Sequence, residues 1–241
     1  EPLLRAPESE GLQRRAQVHR VMTELLPRVK QLAAIAKRYD IGLNIDAEES
    51  ERLEISLDLL EALCLDPDLA GWNGIGFVVQ AYQKRCPFVI DYLVDLARRN
   101  KQKLMIRLVK GAYWDSEVKW AQVDGLEGYP VYTRKVHTDV SYLACARKLL
   151  AAQDAVFPQF ATHNAYTLAW LETTARHYNQ DYEVQRLVGM GEAVHHAFQQ
   201  HSQRPVRLYA PIGEFNTLLP YLVRRLLENG SSQSFVNQLA N

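Results

Sequence analysis

Absences narrow this chain first. No apolar run approaches the ~18–20 residues that span a bilayer. There is no charge excess, because 28 basic and 28 acidic residues cancel. A nucleic-acid partner would call for a basic surface, so none is expected. Cysteine is scarce. Cys64, Cys86 and Cys145 are odd in number and far apart in sequence, which argues against a disulfide framework and for a reducing cytoplasm. The seven histidines do not cluster as zinc ligands would. There is no P-loop, and Gly71-Trp-Asn-Gly-Ile-Gly76 precedes a strand rather than following one, so it reads as a turn. The opening Glu1-Pro-Leu-Leu-Arg-Ala-Pro-Glu8 carries no signal-peptide pattern. Peripheral membrane contact is compatible with all of this.

Strand-like and helix-like patterns alternate along the 241 residues. Residues 11–39 repeat apolar positions every three or four residues, which predicts a helix that Pro27 kinks or breaks. Strands are expected at 41–46, 74–82, 103–110, 156–163, 182–189 and 206–211. Cys86-Pro87 opens a helix at a position that tolerates proline. A helix over 215–229 should stop at Gly230. Each strand-to-strand spacing suits one βα unit, except that the third gap holds an extra segment, 118–138. Such alternation predicts a parallel sheet with helices outside it. A closed barrel of the common kind has eight strands, and six are visible here.

Ligands of such folds sit at the C-terminal strand ends. Those ends carry Asp46, Gln80, Arg107–Lys110, Thr162-His163-Asn164, Gln185–Leu187 and Tyr209. In Lys103-Leu-Met-Ile-Arg-Leu-Val-Lys-Gly-Ala-Tyr-Trp-Asp115 a buried strand ends in a cation, two small residues and two aromatics. That suits a flat, partly anionic ligand approached closely by backbone. Lys110 could meet phosphate as a point charge, and Arg107 could face a ring edge where negative charge develops. The bland reading of both is a solvated strand end. Arg224 and Arg225 lie on an amphipathic helix with Glu228 within reach of either. They are either an exposed Arg-Glu surface pair or guanidinium groups held for a carboxylate. Thr162-His163-Asn164 reads as strand-end capping or as a ligand for phosphate, ribose or an acyl group. Glu192-x-x-His195 is half of a di-iron pattern without its second copy, and His195-His196 reads as helix surface.

Several segments, in order, resemble the proline dehydrogenase domain of bacterial bifunctional proline utilization A proteins. They are Asn44-Ile-Asp-Ala-Glu-Glu-Ser50, Gly76-Phe-Val-Val-Gln-Ala-Tyr-Gln-Lys-Arg85, Arg107-Leu-Val-Lys-Gly-Ala-Tyr-Trp-Asp115, Phe160-Ala-Thr-His-Asn-Ala165, Gly189-Met-Gly-Glu192, Arg207-Leu-Tyr-Ala-Pro211 and Tyr221-Leu-Val-Arg-Arg-Leu-Leu-Glu-Asn-Gly230. The match runs from about residue 14 to the end. The resemblance implies a (βα)8 TIM-type barrel, with residues 1–241 as one domain, holding non-covalent FAD at the strand ends. It implies that Gln80, Arg107, Val109 and Lys110 contact the flavin, with Gly111, Ala112, Tyr113 and Trp114 continuing that wall. Thr133, Thr138, His163, Asn164 and Gln185 would serve the flavin and its ribityl, phosphate and adenine parts. Asp46, Tyr113, Leu187, Tyr209, Tyr221, Arg224 and Arg225 would form the proline site. Of these, Asp46, Tyr209 and the Arg pair are expected in the chemistry. Glu228 would support the pair beside the cofactor.

The implied reaction is oxidation of L-proline to Δ1-pyrroline-5-carboxylate by hydride transfer to FAD, with electrons passed to a quinone. The implied setting is cytoplasmic, with peripheral contact at the inner membrane and a linked aldehyde dehydrogenase domain. The family has two strands before the one ending in Asp46, and residues 1–13 match neither. Two other readings remain: a barrel remnant acting as a flavin-binding or assembly module, and a barrel enzyme acting on a phosphorylated substrate.

Overall fold

The computed structural model describes residues 16–233, and side chains as far as residue 225. The mismatch noted for residues 1–13 therefore lies outside the described residues. Six strands form one sheet in chain order: β1 (Leu43–Ile45), β2 (Ile75–Gln80), β3 (Leu104–Val109), β4 (Val156–Ala161), β5 (Glu183–Leu187) and β6 (Val206–Tyr209). Every neighbouring pair is parallel. Each connection carries at least one helix: α2 (Leu53–Cys64), α3 (Cys86–Arg99), α4 (Trp114–Val123) with α5 (Lys135–Ala151), α6 (Ala165–Tyr178) and α7 (Glu192–His201). Helix α1 (Leu26–Arg38) precedes β1 and α8 (Phe215–Gln233) follows β6. The extra segment expected between the third and fourth strands is α4 and the loop after it.

Strand alternation sorts the side chains into two layers. Ile75, Phe77, Val79, Leu104, Ile106, Leu108, Val156, Phe160 and Val184 are buried against the helices. The alternate positions are more polar. The Asn44 side chain donates to Gln159 Oε1 at 2.9 Å, and Gln159 in turn donates to Glu183 at 3.0 Å. Neighbouring strands stand about 4.8 Å apart. A bond from β1 to β4 therefore requires the sheet to curl, with these polar residues on its concave side. Arg207 completes the layer with two 2.8 Å bonds to the buried Glu183. The result is a curled half-barrel. Among the described residues, β1 and β6 do not pair with each other.

Two helix expectations needed revision. Pro27 does not break the first helical stretch, although the α-helix is irregular just before it. It sits in the first turn of α1, directly after a wide π-helical turn at Val21–Leu25. That turn accommodates the ring and the missing N–H. Helix α8 passes through Gly230 and ends at Gln233. Glycine disfavours a helix interior by only about 1 kcal/mol, and it stops a helix only when it turns left-handed. Pro87 does occupy the first turn of α3. The three cysteines are free and buried. No helix among the described residues is long and apolar enough to cross a membrane.

Candidate functional site

Parallel strands point their C-terminal ends the same way, and the curl gathers those ends around one cavity of about 1090 Å³. Asp46, Gln80, Arg107, Val109, Lys110, Gly111, Ala112, Tyr113, Trp114, Thr133, Thr138, His163, Asn164, Gln185, Leu187, Tyr209, Tyr221, Arg224 and Arg225 all line it. Glu228 lies where side chains are outside the described residues. Sequence reasoning did not single out Tyr82, Tyr132, Lys135, Met190 and Gly191, which line the cavity as well. For Tyr82 a signal existed, since it stands two residues beyond Gln80 and continues that face.

At the floor, Arg107 Nη2 donates to Asp46 Oδ1 at 2.7 Å, and its guanidinium lies 5.1 Å from the centre of the Tyr209 ring. The Asp46 loop is held from three sides. Gln80 Nε2 donates to the Glu48 carbonyl at 2.7 Å, and Arg85 donates to the Ser50 carbonyl. The buried Glu117 accepts from Ser50 Oγ at 2.6 Å and from the Ser50 amide.

The wall after β3 depends on glycine. Gly111 has φ +136°, and a Cβ there would collide with the Tyr82 ring. The Tyr82 amide donates to the Lys110 carbonyl at 2.8 Å, and the Tyr132 amide donates to the Tyr82 carbonyl at 2.8 Å. Trp114 Nε1 closes this layer on the Tyr132 carbonyl at 2.9 Å. Lys110 lines the cavity, but its ammonium pairs with Asp139. It is thus a cavity-lining cation that already has one carboxylate partner.

Helix α8 brings the two arginines to the same space. Arg224 lies 5.6 Å from the centre of the Tyr113 ring, and Arg225 lies 4.6 Å from that of Tyr221. Tyr221 in turn lies 6.4 Å from Tyr209, tilted by 32°. Burial raises the pKa of Tyr113, opposed by the Arg224 charge. Burial also raises that of Tyr221, opposed by its bond to Arg225. Both phenols therefore stay neutral near pH 7.

At the ends of β4 and β5, Asn164 caps α6 by accepting the Thr167 amide at 2.8 Å. The capping reading thus holds for Asn164, which still lines the cavity. His163 Nε2 accepts the Leu187 amide at 3.1 Å. His195 corrects the sequence reading. It is buried at 1% exposure, not on the helix surface, because the first turn of α7 faces the β4 end. His196 is exposed as expected.

The cavity has room for an extended ligand. Its volume reaches the upper end of the ~300–1,000 Å³ range of ligand pockets. Gly111 and Ala112 let a flat group approach the backbone. One lining group, Gln185 Oε1, is buried without a hydrogen-bond partner, so it has bonding capacity left for a ligand.

The family model described as proline dehydrogenase matches residues 4–238, which begins earlier than the sequence reading placed it. The chain is 65% identical over 234 residues to bifunctional protein PutA of Escherichia coli (strain K12), covering 94% of this chain and 18% of that protein. It is 30% identical over 247 residues to human mitochondrial proline dehydrogenase 1, covering 96% of this chain and 38% of the relative. A crystal structure of a Bradyrhizobium japonicum proline utilization A (PutA) mutant superposes with a TM-score of 0.86 at 53% identity. It covers 93% of this chain and 23% of that one. The chain thus spans about a fifth of the length of such bifunctional relatives, and its half-barrel is the TIM-like barrel of their proline dehydrogenase region.

Proposed function

The chain belongs to the proline dehydrogenase family, and from that premise we propose that it oxidises L-proline to Δ1-pyrroline-5-carboxylate with FAD as cofactor. In this reading electrons leave to a quinone. The protein works in the cytoplasm, in peripheral contact with the inner membrane and linked to an aldehyde dehydrogenase domain. One observation carries it. Two guanidinium groups over aromatic rings stand in the same cavity as a glycine-bearing wall and a ring of polar strand ends.

FAD, when bound, supplies the hydride acceptor at flavin N5. The rest falls to the chain. Gln80, Arg107, Val109, Lys110 and residues 111–114 would hold the flavin, while Thr133, Thr138, His163, Asn164 and Gln185 would hold its tail. Arg107 supports negative charge at the ring edge. Arg224 and Arg225 bind the proline carboxylate, for which guanidinium geometry is suited. Leu187, Tyr209 and Tyr221 shape the space for the ring and exclude water. Proline must arrive with its amine unprotonated, so that the nitrogen lone pair can form the C=N bond as the neighbouring carbon gives up hydride. Fixing that carbon against the acceptor is a matter of orientation, so no covalent nucleophile is required of this residue set.

The test is the visible spectrum of the purified chain, followed by addition of proline. Flavin bands that bleach, with dye reduction in turnover, are the expected result. A protein that binds no added FAD and reduces no dye overturns the proposal. The β1 and β6 edges, which find no further strand among the described residues, favour a second reading, a flavin-binding or assembly module without turnover. Flavin bands that proline leaves unbleached would select it.

A further inference from the structure

His195 is a motif residue whose place in the structure the proposed function leaves unused. It sits in the first turn of α7, buried, and it is not among the residues lining the cavity. Its Nε2 lies 2.9 Å from the Thr162 carbonyl oxygen. A carbonyl can only accept, so Nε2 carries the proton. Nδ1 then holds a lone pair, and it is buried without a partner. A side chain that merely filled this space would avoid that penalty as leucine. What the imidazole adds is the bond to Thr162.

That bond reaches the cavity directly, since Thr162 lines it. Thr162 Oγ1 accepts the Asn164 amide at 3.2 Å, and Asn164 caps α6. The His195 ring also meets the His163 ring edge-on, with centroids 5.8 Å apart and planes at 80°. His163 Nε2 accepts the Leu187 amide, so its proton sits on Nδ1. Gly191 closes the turn at φ +63°, where a Cβ would come within 2.7 Å of His163 Cδ2 and 3.2 Å of His195 Cδ2. The two rings therefore pack against a glycine, in space that a Cβ would enter.

We propose that His195 is a positioning residue, which holds Thr162, His163 and Asn164 in the arrangement that meets the tail of the cofactor. The inference rests on the FAD reading above. It adds a residue behind the site that acts only through its neighbours.

The test is a fluorescence titration of FAD into the full chain and into His195→Leu and His195→Gln, alongside imidazole nitrogen NMR. His195→Leu keeps the volume and loses the donor, so FAD should bind roughly tenfold more weakly, as the loss of one buried hydrogen bond implies. Its His163 signal should no longer report a single tautomer. The Michaelis constant for proline should be unchanged once FAD is saturating. The terminal amide of His195→Gln can still donate to Thr162, and FAD affinity should return close to that of the unaltered chain. Should His195→Leu not fold, His195→Asn, too short to reach Thr162, takes its place with the same expectation. Equal FAD affinity in all variants overturns the inference while leaving the FAD reading intact, as does a glutamine variant as weak as the leucine one. An unaltered chain that binds no FAD removes both.

Discussion

Arg107 and Asp46 meet at 2.7 Å across the width of strand β2, which lies between the strands that carry them. The guanidinium also lies over Tyr209, at the end of β6. One cation thus ties together three strand ends of the concave face. It is 11% exposed, while Asp46 is 52% exposed, so water screens the pair from one side.

That half-exposure sets the first expectation. A double-mutant cycle with Arg107→Met and Asp46→Asn, measured by urea unfolding, should give a coupling of about 1 kcal/mol, weakening with salt. No coupling at low ionic strength would mean the pair does not persist in solution.

Arg224 and Arg225 are expected to act on substrate rather than on the fold. Replacing either with methionine should raise the Michaelis constant for proline by roughly tenfold or more while leaving flavin content nearly unchanged. Steady-state kinetics together with the visible spectrum checks this. Unchanged kinetics in both variants would return the pair to a surface role.

Glu183 is the acceptor that several donors share. It is 2% exposed and takes bonds from Gln159, Gln185 and Arg207. Glu183→Leu leaves those donors without their acceptor. The Arg207 side chain is 64% exposed and can turn to water, but the two glutamines are buried. The expected loss is about 2–4 kcal/mol of unfolding free energy. A loss well below 1 kcal/mol would show that the donors find other partners.

His195 gives the fold a pH dependence. Burial is the largest cause lowering its pKa below 6.5, with the nearby His163 and Arg186 acting in the same direction and the Thr162 bond against them. The unfolded chain therefore binds this proton more readily than the folded one. The histidine's contribution to stability is fully present above about pH 6.5 and is lost as pH falls through the lower folded value. The unfolding midpoint of the unaltered chain should drop over that window relative to His195→Gln. Parallel midpoints in the two proteins would refute this.

Much of the site could be read from the residues because it lies on strand ends, and a strand announces itself locally. Leu104, Ile106 and Leu108 alternate with Met105, Arg107 and Val109, and the structure puts the first set under helices and Arg107 in the cavity. The same local pattern misled at His195. One histidine beside another on a short helix shows no periodicity that separates surface from core, and what buries it is the β4 end, more than thirty residues earlier. The pairing of Lys110 was equally out of reach, because its partner Asp139 sits on a helix that strand spacing does not place.

Taken alone, the sequence determined the βα order, the parallel sense of the sheet and the residues at its C-terminal edge. Alternation and helical spacing are properties of neighbouring residues, and the backbone reads them locally. Only the tertiary structure decided how far the sheet curls, which polar groups meet inside it, and which cations face the cavity already paired. Those outcomes depend on contacts such as Asn44 with Gln159, which lie 115 residues apart. Burial and hydrogen-bond satisfaction in the folded chain select such contacts, and no local pattern encodes them.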